Sequence, residues 1–251
     1  SHFANVLRRL KRVCAFYGAF PQFVLTSATI GNPQELAEKL IESPVHLIDK
    51  DGSQHGEKQF IIYNPPMVDK QLGIRKSALI TGVNFIKELI ENEHQTLIFA
   101  RTRRTVEMIL TYLRDKLPIQ DKNKVRGYRS GFLKKERREI ESDFRKGDLK
   151  AVVSTSALEL GIDIGDLESV ILVGYPGSIA TTKQRAGRAG RKNQSAMAML
   201  IPTPDALDQY LARHPEYIID QNPENALIDP DNLSILTQHV LCASFELPFS
   251  A

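Results

Sequence analysis

Residues 150–174 read KAVVSTSALELGIDIGDLESVILVG, and two apolar runs in this stretch decide how the chain folds. The first covers 150–154 and the second is Ser169–Val173; a Gly- and Asp-rich segment separates them. Short continuous apolar runs with polar or glycine borders are the pattern of strands buried on both faces, as in a parallel sheet. The same rhythm extends outward. N-terminally, the spacing predicts a helix over 133–146, a strand near 124–128, a helix over about 102–116, the strand Thr96–Ala100 and a helix over about 75–91. C-terminally it predicts a helix from about 178 to 188 and the strand Ala196–Ile201. Strands alternating with helices of 10–15 residues define β-α-β units, hence an α/β fold with a doubly wound parallel sheet flanked by helices. Right-handed crossovers then gather the loops after the strands on one edge, where ligands bind.

Before this core, Val6, Leu7, Leu10, Val13 and Cys14 recur at helical spacing among basic residues, predicting an amphipathic helix that ends near Gly18. Phe23–Leu25 reads as a short buried strand running into Thr26-Ser27-Ala28-Thr29, and Asn32-Pro33 opens a helix through Ile41. Short strands are expected at 45–48 and 59–63, across a turn-rich stretch from Asp49 to Gly56. After Pro202 the composition turns acidic and the periodicity weakens. The expected divisions are therefore 1–64, 65–202, and 203–251 as a small, mostly helical appendage or the start of a further domain.

Composition sets bounds on function. A chain of 251 residues with 42% hydrophobic and 25% charged residues has the makeup of an ordinary soluble globular protein. No run of about 18 apolar residues predicts a membrane span, and Ser1–Gly18 lacks the apolar segment of a signal peptide. Cys14 and Cys242 have neither CxxC spacing nor a nearby histidine cluster, so no zinc site or disulfide framework is expected, which fits a cytoplasmic protein. His2, His214 and His239 read as surface or capping residues. The net charge of +3 hides an asymmetry: residues 101–150 carry a balance of +8 and residues 201–251 one of −7. A basic middle suits phosphate backbones, and equally a solvated helix face.

Two segments carry chemistry. Gln184-Arg185-Ala186-Gly187-Arg188-Ala189-Gly190-Arg191 places arginines at i, i+3 and i+6 among small residues. Guanidinium forks bind phosphate oxygens bidentately, and small neighbours allow close approach of a ligand or another domain. The bland alternative is an Arg-rich helix end at the surface. The second segment is Ser154-Thr155-Ser156, where a strand breaks into hydroxyls, followed by Gly161 and Asp163 in a loop. Hydroxyls and free N–H groups at a strand end suit phosphate contacts, although Ser-Thr-Ser could equally be a helix N-cap.

These segments resemble conserved helicase motifs. QRAGRAGR at 184–191 resembles motif VI of superfamily 2 helicases, STSALELGIDIG at 154–165 motif V, LIFARTRRTVE at 97–107 motif IV, and TSAT at 26–29 motif III. Gly174–Ala180 and Tyr128–Phe132 followed by Lys135–Arg138 narrow the resemblance to DEAD/DEAH-type DNA helicases of the mitomycin repair factor A group and their fungal RecQ-four-like relatives. The resemblance implies a RecA-like second motor lobe preceded by the tail of the first, and an enzyme that uses ATP with Mg²⁺ to move 3′ to 5′ on single-stranded or forked DNA in repair. It also implies roles. Arg188 and Arg191 would be arginine fingers and Gln184 would lie near the γ-phosphate. Asp163 would contact the ribose, with Gly161 and Glu159 shaping its loop. Ser154, Thr155, Arg101 and Arg129 would track the strand backbone, and Ser27 and Thr29 would couple the lobes. Arg185 could be a structural or a DNA contact.

No GxxxxGK[ST] and no Asp-Glu-x-His occurs in the sequence. The resemblance implies that those elements, and with them the Mg²⁺ ligands, belong to the first lobe, so this chain alone is expected to be inactive. The implied location is cytoplasmic, on the nucleoid in a bacterium, or nuclear in a eukaryote. Two other readings stay open: a non-catalytic nucleic-acid-binding module, and an RNA helicase or double-strand translocase with the same motor.

Overall fold

The computed structural model describes residues 1–27, 29–50, 52, 56–129, 131–156, 158, 167–190 and 195–249. The chain divides into two units, Ser1–Asp51 with Asn222–Ala251, and Gly52–Gln221.

The larger unit is a RecA-like α/β lobe. Its strands are β1 (Lys58–Ile62), β4 (Thr96–Ala100), β5 (Val125–Tyr128), β6 (Ala151–Ser154), β7 (Ser169–Val173) and β8 (Ala196–Ile201). They form one all-parallel sheet in the order β1-β8-β7-β4-β6-β5. A further hairpin pairs β2 (Met67–Asp69) with β3 (Ile74–Arg75). The helices are α3 (Ala78–Glu91), α4 (Arg103–Lys116), α5 (Lys134–Lys146), α6 (Ile179–Ala186), α7 (Ala206–Arg213) and α8 (Glu216–Ile219).

Successive strand side chains point to opposite faces, so a strand buried on both faces must be apolar throughout. Leu97, Phe99, Val152, Val170 and Leu172 face one layer with Ile140 and Phe144 of α5. Ile98, Ala100, Val153, Ile171 and Val173 face the other, with Ile86 and Ile90 of α3 and Ile109 and Leu113 of α4. Side-chain caps start α4 and α6, which follow β4 and β7: Thr102 accepts from the Thr105 N–H at 3.1 Å and Ser178 from the Thr181 N–H at 3.0 Å.

The smaller unit is held by α1 (His2–Phe16), α2 (Pro33–Ile41) and α9 (Leu233–Glu246). The basic face of α1 is occupied by the C-terminal segment. Arg8 bridges Glu42 at 2.6 Å and Asp231 at 2.9 Å. Arg9 pairs with Glu246, and the Arg12 guanidinium donates to the carbonyls of Ala243, Leu247 and Pro248 and stacks 4.2 Å from the Phe249 ring. Two acidic residues of the tail, Asp231 and Glu246, thus pair with the basic N-terminal helix.

Several expectations are corrected. Phe23–Leu25 and 45–48 form no strand, and Val24 is 84% exposed: a strand needs a ladder partner, and among the described residues neither segment has one. The expected boundaries at 64/65 and 202/203 shift. Lys58–Ile62 is an edge strand of the larger sheet, paired with β8, and α7 and α8 belong to that same unit. Only the segment from Asn222 onward joins the N-terminal residues, through the contacts of α1. The β2–β3 hairpin was not foreseen, because its strands are two and three residues long.

Candidate functional site

In an all-parallel sheet every strand ends at the same edge, and the residues just past those ends form a row. Arg129 follows β5, Ser154 ends β6 with Thr155 next, Arg101 follows β4, and Gly174 follows β7. Strands β5, β6 and β4 are neighbours, about 4.8 Å apart, so Arg129, Ser154/Thr155 and Arg101 span about 10 Å. The sequence motifs taken as strand contacts are therefore brought together, although 54 residues separate Arg101 from Thr155.

Each member of the row is fixed from below. Arg101 lies 3.7 Å from Asp205 and 3.9 Å from Asp208, with its side chain 46% exposed. Its stem passes over Gly174, where a Cβ would come within 3.0 Å of Arg101 Cδ, and the Gly174 φ of +86° also calls for glycine. Arg129 pairs with Glu107 of α4 and lies over the Phe132 ring at 5.5 Å. Beside it, the buried Tyr128 hydroxyl donates to Glu141 at 2.5 Å. Burial first, and that acceptor second, push its pKa up to about 12. Ser154 is fully buried and its Oγ has no hydrogen-bond partner among the described residues, whereas Thr155 is partly exposed.

Sequence reasoning passed over Asp208, which organises this edge. It is 1% exposed, and its Oδ2 accepts from the Tyr175 N–H (3.2 Å), the Thr203 N–H (2.7 Å) and the Thr203 hydroxyl (2.7 Å). It thereby ties the exits of β7 and β8 together, and the Tyr175-Pro176-Gly177 turn with them. Only its place three residues after the α7 N-cap Asp205 hinted at such a role.

The QRAGRAGR segment lies elsewhere. Helix α6 starts after β7 and runs back along the sheet for eight residues, about 12 Å. At its exit Ala189 pairs with Leu167, ahead of β7, and the Gly190 N–H donates to Leu167 O at 3.1 Å. Arg188 therefore sits at the opposite edge from Arg101 and Arg129, and the expectation of a single ligand edge is corrected: α6 spans the sheet and carries its C-terminus to the far side. Gln184 and Arg188 are partly exposed. Arg185 is buried at 7% exposure with its guanidinium 5.0 Å from the Phe99 ring centroid, a packing position. Glu159, Gly161, Asp163 and Arg191 lie outside the described residues. Ser27 is exposed and Thr29 partly buried, both in the smaller unit.

The geometry defines a RecA-like lobe with polar and cationic residues at both strand edges. Residues 81–193 match the helicase conserved C-terminal domain. YprA of Bacillus subtilis, an uncharacterized ATP-dependent helicase, is 51% identical over 100% of this chain and 34% of its own length. The ATP-dependent helicase hrq1 of Schizosaccharomyces pombe is 36% identical over 99% of this chain and 24% of its own length. The crystal structure of the DUF1998 helicase MrfA bound to DNA superposes with a TM-score of 0.96 at 49% identity, over 100% of this chain and 34% of that one. A second MrfA structure, bound to DNA and AMPPNP, superposes at 0.92 with 48% identity, over 99% of this chain and 35% of that one. Residues 81–193 thus carry the helicase conserved C-terminal domain, and over its full length the chain is similar to the YprA, Hrq1 and MrfA helicases. It spans about a third of the length of YprA and MrfA.

Proposed function

We propose that this chain is the second motor lobe of an ATP-dependent DNA helicase that moves 3′ to 5′ and serves DNA repair. The observation that carries the reading is the row Arg129, Ser154/Thr155 and Arg101 on three adjacent strand ends, in a chain whose full length superposes on a helicase bound to DNA. Two guanidinium groups flanking hydroxyls at about 5 Å spacing suit successive phosphates of one strand. Ser154 Oγ, buried and without a hydrogen-bond partner among the described residues, is a donor that a phosphate could satisfy.

ATP is the fuel in this reading, and the α6 exit suits phosphates. Gln184 and Arg188 are partly exposed there, beside exposed Gly187 and Gly190 that leave the surface narrow. Arg188 and Arg191 would supply positive charge to the γ-phosphate, Gln184 would lie beside it, and Asp163, with Gly161 and Glu159, would meet the ribose. Among the described residues no group of three potential metal ligands occurs, and the reading places the Mg²⁺ ligands in the first lobe of a longer protein. The N-terminal residues of the smaller unit, Ser1–Asp51, would be the tail of that lobe, with Ser27 and Thr29 coupling the two. The exposed Phe3, Phe16, Phe20 and Val24 suit burial by further parts of that lobe. No helix among the described residues is long and apolar enough to cross a membrane, and a motor on chromosomal DNA works in the bacterial cytoplasm at the nucleoid, or in a nucleus.

The test is binding of the longer protein to labelled oligo-dT across a salt series. Arg101→Ala and Arg129→Ala are expected to weaken binding alike on all sequences and to lower the salt slope by about one phosphate each. Wild-type affinity and slope in both variants would remove the strand path from this edge.

A further inference from the structure

Beyond Arg101, the same edge opens into a cleft that the motifs do not account for. It has a volume of about 520 Å³ and lies between the β2–β3 hairpin, at Met67, Gly73 and Arg75, and one face of α7, at Gln209, Tyr210 and Arg213. All of it belongs to the larger unit. A space of this size accepts a nucleotide-sized ligand.

The lining has the composition of a stacking site. Tyr210 is 47% exposed, with the His214 ring 4.5 Å away at 34° and the Tyr217 ring 6.2 Å away, edge-on. Tyr210 and His214 thus present ring surface to the cleft, with Tyr217 edge-on beside them. Two cations flank these rings. Among the described residues Arg75 donates one bond, from Nη1 to Pro65 O at 2.7 Å. Arg213 is exposed and makes no hydrogen bond or ion pair among the described residues. The nearby acids are engaged: Asp205 with Arg101 and the α7 N-terminus, Glu216 with His214 at 3.1 Å, and Asp69 with the hairpin N–H groups of Gln71 and Leu72.

The cleft is also in line with the row. In the order β5-β6-β4-β7-β8, four strand spacings, about 19 Å, carry the edge from Arg129 to the exit of β8, where the loop into α7 begins. We infer that a single nucleic-acid strand passing over Arg129, Thr155 and Arg101 continues into this cleft, where one base stacks on Tyr210 and its phosphate meets Arg213 and Arg75. Every base has a π-face, so the site is sequence-tolerant, as a translocating motor requires. This inference rests on the proposed strand path.

The experiment uses the longer protein and oligo-dT in a salt series, with Tyr210→Ala, Tyr210→Phe, Arg213→Ala and Arg129→Ala compared and thermal midpoints recorded. Tyr210→Ala is expected to weaken binding about tenfold while Tyr210→Phe stays near wild type, because the ring and not the hydroxyl stacks. Arg213→Ala is expected to lower the salt slope by about one contact. If Tyr210→Ala and Arg213→Ala bind like wild type while Arg129→Ala weakens, the cleft is not on the path, although the path itself stands. If Arg129→Ala is also silent, the path fails and the cleft with it. A lowered thermal midpoint in Tyr210→Ala with unchanged DNA affinity overturns the inference in favour of a surface that another part of the protein covers.

Discussion

Asp208 and Ser154 sit at one strand edge with opposite states of satisfaction. Asp208 is buried and accepts three hydrogen bonds, from two backbone N–H groups and a hydroxyl. Its replacement by Ala leaves those donors unpaired, at about 1–3 kcal/mol for each that water cannot reach. Asp208→Ala is therefore expected to lower stability by about 2–4 kcal/mol in denaturant titration and also to free Arg101, raising the KM for DNA more than it lowers turnover. A loss of stability with DNA KM unchanged would limit Asp208 to holding the loops. Ser154 is the converse case: its hydroxyl is buried and unpaired among the described residues, so Ser154→Ala removes an uncompensated polar atom. Its stability is expected to stay level or rise by about 1 kcal/mol while DNA affinity falls. A clear loss of stability would show that the hydroxyl is already satisfied in the free protein.

At the scale of elements, the strand ends are fixed from both edges of the sheet. Gly174 leaves β7 with φ +86° beneath the Arg101 stem, so Gly174→Ala combines backbone strain with a contact near 3.0 Å. It is expected to cost about 1–3 kcal/mol and to displace Arg101, checked by unfolding and DNA affinity together. At the opposite edge Glu93 joins Lys150, ahead of β6, at 2.8 Å and Lys124, ahead of β5, at 2.9 Å. Hydrogen bonds to these two lysines hold its pKa down to about 2. A depressed carboxylate contributes stability above its unfolded pKa of about 4.3 and loses it as pH falls toward 2. Glu93→Gln is thus expected to lower the thermal midpoint slightly at pH 7, with the gap to wild type closing between pH 4 and 2; a gap independent of pH would assign the effect to something other than charge. Most elements were legible in the sequence. Ser169–Val173 and Ala196–Ile201 match their strands to the residue, because a run buried on both faces admits only apolar residues between polar borders. Phe23–Leu25 misled because the same apolar signal forms a strand only where a ladder partner exists, and partners are not written in local periodicity. The edges were half legible. Motif order singled out Arg101, Arg129 and Ser154, which the fold brings to neighbouring strand ends, but the return of α6 across the sheet, which separates Arg188 from them, depends on the Leu167–Ala189 pairing. Beyond the place of Asp208 near an N-cap, Asp208 and the Tyr210 cleft carry no local pattern, since their meaning lies in contacts across 33 residues to Tyr175 and across the hairpin.

For the whole molecule, the charge asymmetry has a structural outlet. Part of the acidic C-terminal segment is held by Arg8, Arg9 and Arg12 of α1, while Arg101 and Arg129 in the basic middle stay partly exposed at the strand ends of the larger unit. A lobe with Arg101 and Arg129 on one edge and Arg188 on the other suits the proposed motor, in which nucleotide and nucleic acid would be bound apart and coupled through the sheet between them. The reading stands or falls with that coupling. The most direct test is ATP turnover by the longer protein, with and without single-stranded DNA, in wild type and Arg188→Ala. Turnover stimulated by DNA in the wild type, and lowered about 10³-fold in Arg188→Ala with DNA affinity retained, is the expected result. Near-normal, DNA-stimulated turnover in Arg188→Ala would contradict the assignment of the α6 exit to the nucleotide, and no DNA-stimulated turnover in the wild type would contradict the motor itself.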